Sequence, residues 1–258
     1  MAAIGAYIGF AISFRAIGFS AEAFLLMLSA FLICGAGQTV NDYFDRLVDQ
    51  KLHPKKPIPS RRVAAKNAFV FAISLFFIGI LVSALANQAA FIIAIAFSVL
   101  LIAYSAFLAR IKWIGNWIVA LGTGFTMVFG ATATGNYGVV LVLALSAVLA
   151  NYFREVSKDF EDMEQDRGFK VSLPMVSNPA IARFFVSSLL VLAIIVSYLP
   201  FAMKKFGNAY FLTIVSTANL VFIYSIISLS RKNYKTAQSV SKIAMIAALV
   251  GFLSGALG

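Results

Sequence analysis

A succession of apolar segments, each about as long as a bilayer is thick, constrains this chain more than any other feature. A helix needs about 20 apolar residues to cross the hydrocarbon core. Segments of that kind run over 22–44, 63–86, 89–109, 113–133, 137–160, 181–201, 209–229 and 240–257, and a shorter one opens the chain at 2–14. Gly18, Asn87, Asn136, Pro174, Pro179, Pro200 and Asn208 punctuate the joints, where chain breakers belong. Of 258 residues, 61% are hydrophobic and 12% charged, against about half and about a quarter in a soluble domain. The expectation is an all-α, polytopic membrane protein: one domain of about nine transmembrane helices around a central cavity. Residues 2–14 read as a short membrane helix, since no basic leader or cleavage site precedes them.

The net charge is +11, which in a soluble chain would suggest nucleic acid. Its placement argues for topology instead. With nine helices, the connections 46–66, 110–112, 154–183 and 231–242 share one side of the membrane. They carry every Lys and Arg except Arg15, Lys204 and Lys205. The positive-inside rule puts that side in the cytoplasm, with the N-terminus in and the C-terminus out. Membrane lipids are the implied surroundings, and no nucleic-acid or protein partner is implied. Cys34 is the single cysteine, so it has no internal disulfide partner and reads as a packed thiol.

The acidic residues carry the chemistry. Of ten, only Glu22 stands alone; the rest fall at Asp42, Asp45, Asp49 and at Glu155, Asp159, Glu161, Asp162, Glu164, Asp166. Both windows contain D-x-x-D-x-x-x-D, 117 residues apart. Positions i, i+3 and i+7 fall within about 60° of one another on a helix, so each window puts three carboxylates on one face. Glu155 joins the second face, and Glu161 and Glu164 point away from it. Carboxylates stacked in this way repel, and at helix C-termini the dipole adds to the cost. A divalent cation removes both penalties. Mg²⁺ suits the pattern, because it binds through one or two carboxylates and completes its shell with water and phosphate. Zinc does not, with one Cys and one His in the chain. The spacing of the windows suggests an internal duplication, about 1–112 matching 113–235, with 240–257 added.

Basic residues flank the acids: Lys51, Lys55 and Lys56 after the first window, Arg154 and Lys158 before the second, Arg167 and Lys170 after it. Metal plus Lys or Arg is how proteins neutralise a pyrophosphate. His53 has no ligand-type neighbours and reads as a loop residue.

The pieces NDYFDRLVD at 41–49, PKKPIPS at 54–60, AYS at 103–105 with Lys112 and Asn116 beyond, and REVSKDFEDMEQDR at 154–167 resemble the intramembrane UbiA-type prenyltransferases over nearly the whole chain. Within that family the second acidic piece looks most like the archaeal digeranylgeranylglyceryl phosphate synthases. Gln38 stands where Asn is commoner in the family, and Lys56 where Arg is common. The resemblance implies Mg²⁺-dependent transfer of a geranylgeranyl group from its diphosphate to the hydroxyl of geranylgeranylglyceryl phosphate, an ether-lipid precursor. Asp42, Asp45, Asp159 and Asp162 would ligate the metal, with Asn41, Asp49 and Asp166 completing or orienting its shell. Lys51, Lys55, Lys56 or Lys112 would take charge on the leaving diphosphate. Arg154, Lys158 and Arg167 would contact the acceptor phosphate, and Tyr104 would shelter the allylic cation. Two other readings stand beside this one: prenyl transfer to an aromatic or quinone precursor, and an ion-coupled transporter, which intramembrane acids and repeats also suit.

Overall fold

The computed structural model describes residues 1–256. The chain is helical throughout, and its only β pairing among the described residues is an isolated bridge, Ile111 to Val171. Eight helices or broken helices are long and apolar enough to cross a membrane, and the shorter Ala2–Phe14 makes the expected ninth. They are α1 (Ala2–Phe14), α2 (Ala21–Phe44), α4 (Ala65–Ala86), α5 (Gln88–Ala103) extended by a π-helical turn over Tyr104–Leu108, α6 (Lys112–Ala131) and α7 (Gly138–Asp166). Then come α9 (Pro179–Ser197) with α10 (Leu199–Ala202), α11 (Asn208–Thr213) joined through a second π turn to α12 (Leu220–Ser230), and α13 (Tyr234–Gly255). Two short helices, α3 (Arg46–Leu52) and α8 (Leu173–Val176), follow the two acidic windows.

Local chemistry accounts for the boundaries. Ser20, Asn87, Asn178 and Asn233 cap α2, α5, α9 and α13 by accepting from backbone N–H groups in the first turn, the groups a helix start leaves unsatisfied. Pro200 ends α9 at Tyr198, because proline cannot donate to the helix and crowds the residue before it. Four boundaries differ from the sequence reading. α7 continues past Phe160 to Asp166, carrying the whole second window on one helix; the stretch beyond 160 is too polar to count as a span. The first window is broken at Asp45, between α2 and α3, yet Asp45 N to Asn41 O at 2.9 Å and Asp49 N to Asp45 O at 2.8 Å carry the register across. The 181–201 segment is two helices. The last helix starts at Tyr234 instead of 240, and Leu257, its expected end, lies outside the described residues.

Large side chains such as Phe71, Phe77, Leu85, Phe107, Phe184 and Leu220 are exposed, as a lipid-facing surface requires. Small residues do the close packing inside. α1 is buried from Gly5 to Ser13 except Tyr7, wedged against α2, α6 and α13. Its contact with α6 leaves no room for side chains: a Cβ on Gly130 would stand 1.8 Å from the Ala6 carbonyl oxygen, and one on Gly9 would stand 1.9 Å from that of Met127. Backbone on both sides cannot yield, as small-residue membrane interfaces require. Gly130→Val is therefore expected to lower the yield of folded protein in detergent sharply, read by size-exclusion chromatography. Gly138→Val, where a Cβ meets nothing within 4 Å, should leave it unchanged.

Consecutive long helices pack on one another: α1 on α2, α2 on α4 and α4 on α5, then α6 on α7, α7 on α9 and α9 on α12. The four basic connections meet at one end of the bundle. Lys170 reaches Asp45, Val171 N donates to Arg110 O at 2.9 Å, Gln238 Nε2 donates to Glu161 at 3.2 Å, and Arg183 reaches Tyr234.

Candidate active site

Both acidic windows lie at that end, and four of their carboxylates are buried: Asp45, Asp49, Asp159 and Asp166 are between 2% and 5% exposed. Buried carboxylates need compensation, and lysines supply it. Lys56 donates to Asp42 and Asp49, each at 2.8 Å. The turn His53–Ser60 folds Lys56 back over α3, with Ser60 N bonded to Lys56 O at 3.0 Å and Arg62 Nη2 donating to the Lys55 carbonyl at 2.7 Å. Burial pulls the Lys56 ammonium pKa down, but the hydrogen bonds and charges of Asp42 and Asp49 outweigh it, so the net shift is upward. Lys56 therefore stays charged across the physiological range.

The second window is organised around Lys112, at the start of α6. Its ammonium lies 3.1 Å from Asp159 and 3.9 Å from Asp162, and it also donates to Asp166. Asn116, one turn along α6, donates to the other Asp159 oxygen at 2.7 Å. Lys170 crosses from the loop after α7 to Asp45 at 2.9 Å. The Ile111–Val171 bridge fixes that loop and so sets both Lys112 and Lys170. Asn41 donates weakly to Asp45 at 3.4 Å, and its Oδ1 is buried with no partner among the described residues.

Below this polar end opens a cavity of about 800 Å³. Asn41, Asp42, Gln38 and Tyr104 line its polar part, and Phe97, Leu101, Phe125, Phe129 and Leu249 are among the apolar residues of its wall. Tyr104 is held against Gly115, where a Cβ would stand 2.8 Å from the ring, and it begins the π turn of α5. π turns recur at functional sites. The arrangement is a charged head group site above a greasy channel.

Other expected residues take different places. Arg154 lines the cavity, paired with Glu155 and donating to Asn151 at 3.1 Å. Lys158 is exposed, 4.0 Å from Asp162. Lys51 is exposed beside the Phe169 ring, and Lys55 is exposed in the turn. Arg167 is exposed and faces Glu164 at 3.7 Å, away from the cavity wall. Glu161 and Glu164 are exposed, as the helix geometry required.

Oxygen ligands dominate the site, and the orphaned Asn41 Oδ1 is one more, so the donor set fits Mg²⁺. Yet among the described residues no three ligand-type side chains converge on one metal position; each group of acids is centred on a lysine. That fits an ion that arrives with a phosphorylated substrate better than a permanent protein cage.

A sequence profile of the UbiA prenyltransferase family matches residues 2–250. The chain belongs to that family. It is a multi-pass membrane prenyltransferase, and the transporter reading is not favoured. Among curated relatives, the digeranylgeranylglyceryl phosphate synthase of Methanococcus maripaludis (strain C7) is 37% identical over 99% of this chain and 93% of its own length. That of Methanosarcina mazei is 40% identical over 91% of this chain and 82% of its own length. A solved structure of a digeranylgeranylglyceryl phosphate synthase superposes with a TM-score of 0.84 at 34% identity, covering 99% of this chain and 93% of that one. A UbiA homologue from Archaeoglobus fulgidus, solved with GPP and Mg²⁺, shares the fold at a TM-score of 0.69 and 18% identity, covering 97% and 96%.

Asn151 was not singled out in the sequence; Lys170 was read there only as a basic neighbour of the second window, and Asn116 only as part of a motif. Asn116 had a signal, since it lies four residues after Lys112 on the same helical face.

Proposed function

We propose that this enzyme transfers the geranylgeranyl group of geranylgeranyl diphosphate to the free hydroxyl of geranylgeranylglyceryl phosphate, forming a second ether bond. One observation carries the reading: two carboxylate-rich helix ends, each charge-balanced by its own lysine, lie at one end of the bundle, with Lys170 from the loop after α7 crossing to Asp45, and a mostly apolar cavity opens beside Asp42. The polar end suits a diphosphate and the channel suits a C20 chain. The relatives that match nearly end to end are synthases of this class, and a homologue of the same fold was solved holding a prenyl diphosphate and Mg²⁺.

The roles follow from placement. Asp42, Asp45, Asp159 and Asp162 are the proposed metal ligands, with Asn41, Asp49 and Asp166 beside them. Mg²⁺ supplies a Lewis acid that stabilises the departing diphosphate. Lys56, Lys112 and Lys170 already sit among the carboxylates and carry positive charge to the developing anion. Lys51 and Lys55 line the approach from solvent. Tyr104 presents its ring at the boundary of polar and apolar wall, where a cationic allylic carbon would lie. The apolar channel keeps water from that carbon. The basic end is assigned to the cytoplasmic side by the distribution of Lys and Arg, and the two halves are assigned to one duplication.

Radiolabelled geranylgeranyl diphosphate, offered with geranylgeranylglyceryl phosphate or with an aromatic acid acceptor, tests the reading by thin-layer chromatography. Product from the glycerol lipid is expected, and product from the aromatic acceptor alone would refute it. EDTA should suppress the turnover to background and excess Mg²⁺ should restore it; turnover that persists in EDTA would refute the metal assignment.

A further inference from the structure

We propose that Lys242 binds the phosphate of the lipid acceptor, in an anion subsite on the cavity wall separate from the diphosphate end. The inference rests on the acceptor reading above. Three cationic or anionic side chains line the 800 Å³ cavity: Asp42, Arg154 and Lys242. Asp42 is held by Lys56, and Arg154 by Glu155. Lys242 is exposed and forms no ion pair among the described residues. It stands on α13, a helix apolar enough to span the membrane. An uncompensated cation there is costly and is kept for a partner.

The register of α13 gives its position. Gln238 Nε2 meets Glu161 at 3.2 Å, which sets the first turns of α13 against the end of α7, running in the opposite direction. Lys242 is one turn farther from the polar end than Gln238, about 6 Å along the axis. It thus comes down α13 towards the level of Arg154, while the lysines that hold the aspartates stay on α6 and in the loops after α3 and α7. The acceptor has two functional parts, a hydroxyl that must reach the allylic carbon and a phosphate that must not occupy the diphosphate site. A lone ammonium on the far wall, with the Arg154 guanidinium on α7, meets that need: it takes the phosphate and leaves the glycerol hydroxyl turned towards Tyr104. Lys158 and Arg167 do not line the cavity, so this assignment moves the acceptor phosphate from them to Lys242.

The experiment compares two acceptors, geranylgeranylglyceryl phosphate and geranylgeranylglycerol, with purified wild-type, Lys242→Gln and Lys242→Arg enzymes. Wild type should prefer the phosphorylated acceptor in kcat/KM by about 10- to 100-fold, the range for a charged hydrogen bond. Lys242→Gln should lose that preference through a higher acceptor KM. Its kcat, its KM for geranylgeranyl diphosphate and its rate with geranylgeranylglycerol should stay within about twofold, and Lys242→Arg should restore most of the preference. Wild-type enzyme that does not distinguish the two acceptors overturns the subsite even if the Gln variant fails to fold. An unchanged preference in Lys242→Gln, or a rise in KM for the diphosphate instead, overturns the placement of Lys242 alone. Wild type that prenylates neither glycerol lipid overturns the acceptor reading itself.

Discussion

Asp159→Ala is expected to lower kcat by at least about 1,000-fold while the protein still folds and inserts. Asp159 is 2% exposed and receives both Lys112 and Asn116, so its charge is aimed and desolvated. Groups arranged in this way around developing charge contribute about 100- to 1,000-fold each, and a metal ligand should lie at or above that range. The fold should survive, because Asp166 and Asp162 still balance Lys112. Asp42→Ala in the first acidic window should have a comparable effect. Glu164→Ala, an exposed acid of the same helix, is the control and should keep wild-type turnover. Labelled product formation at saturating substrate reads all three, and near-normal turnover in Asp159→Ala would remove that residue from the site.

Lys112→Met is expected to destabilise the protein by about 3–5 kcal/mol, the usual cost of stripping one partner from a buried charge pair. Lys112 is the shared cation of Asp159, Asp162 and Asp166, and Asp159 and Asp166 have almost no access to water. Without it the three carboxylates repel one another across one helix face. The loss should be conditional on divalent cations. Mg²⁺ binding to the folded variant offsets the repulsion, so millimolar Mg²⁺ should raise its thermal midpoint much more than that of wild type, where the ammonium already occupies the centre of the group. A thermal-shift measurement with and without Mg²⁺ decides this. An equal shift in both proteins would mean that Lys112 does not stand where a metal cation would be drawn.

The fold was legible because the bilayer imposes a length on every span, and the segments from 22–44 to 240–257 announce themselves by it. The candidate site was legible for a different reason: acids are so rare here that Asp42, Asp45, Asp49 and Asp159, Asp162, Asp166 stand out by spacing alone. The rest depended on tertiary contacts. Nothing local to Lys170 says that it will reach Asp45, since its loop is placed by the bridge between Val171 and Ile111. The centrality of α1 rests on Gly9 meeting Gly130's helix at backbone contact, and glycine leaves no hydropathy signal for that. The continuation of α7 to Asp166 was hidden by the polarity that makes it useful. Lys56 and Lys112 were expected to take charge on the diphosphate; their pairing with the aspartates came only from the tertiary structure. The expectation of carboxylates gathered on each face held for the second window as one helix, whereas the first achieves it across the break at Asp45.

The proposed chemistry requires the two acidic helix ends to share one metal-bound diphosphate. A structure of the enzyme with Mg²⁺ and geranylgeranyl thiodiphosphate, an analogue that resists ionisation, tests this most directly. The diphosphate is expected between Asp42 and Asp45 on one side and Asp159 and Asp162 on the other, with its C20 chain running past Tyr104 into the cavity. A diphosphate bound elsewhere, or metal held by one window with the other facing solvent, would contradict it.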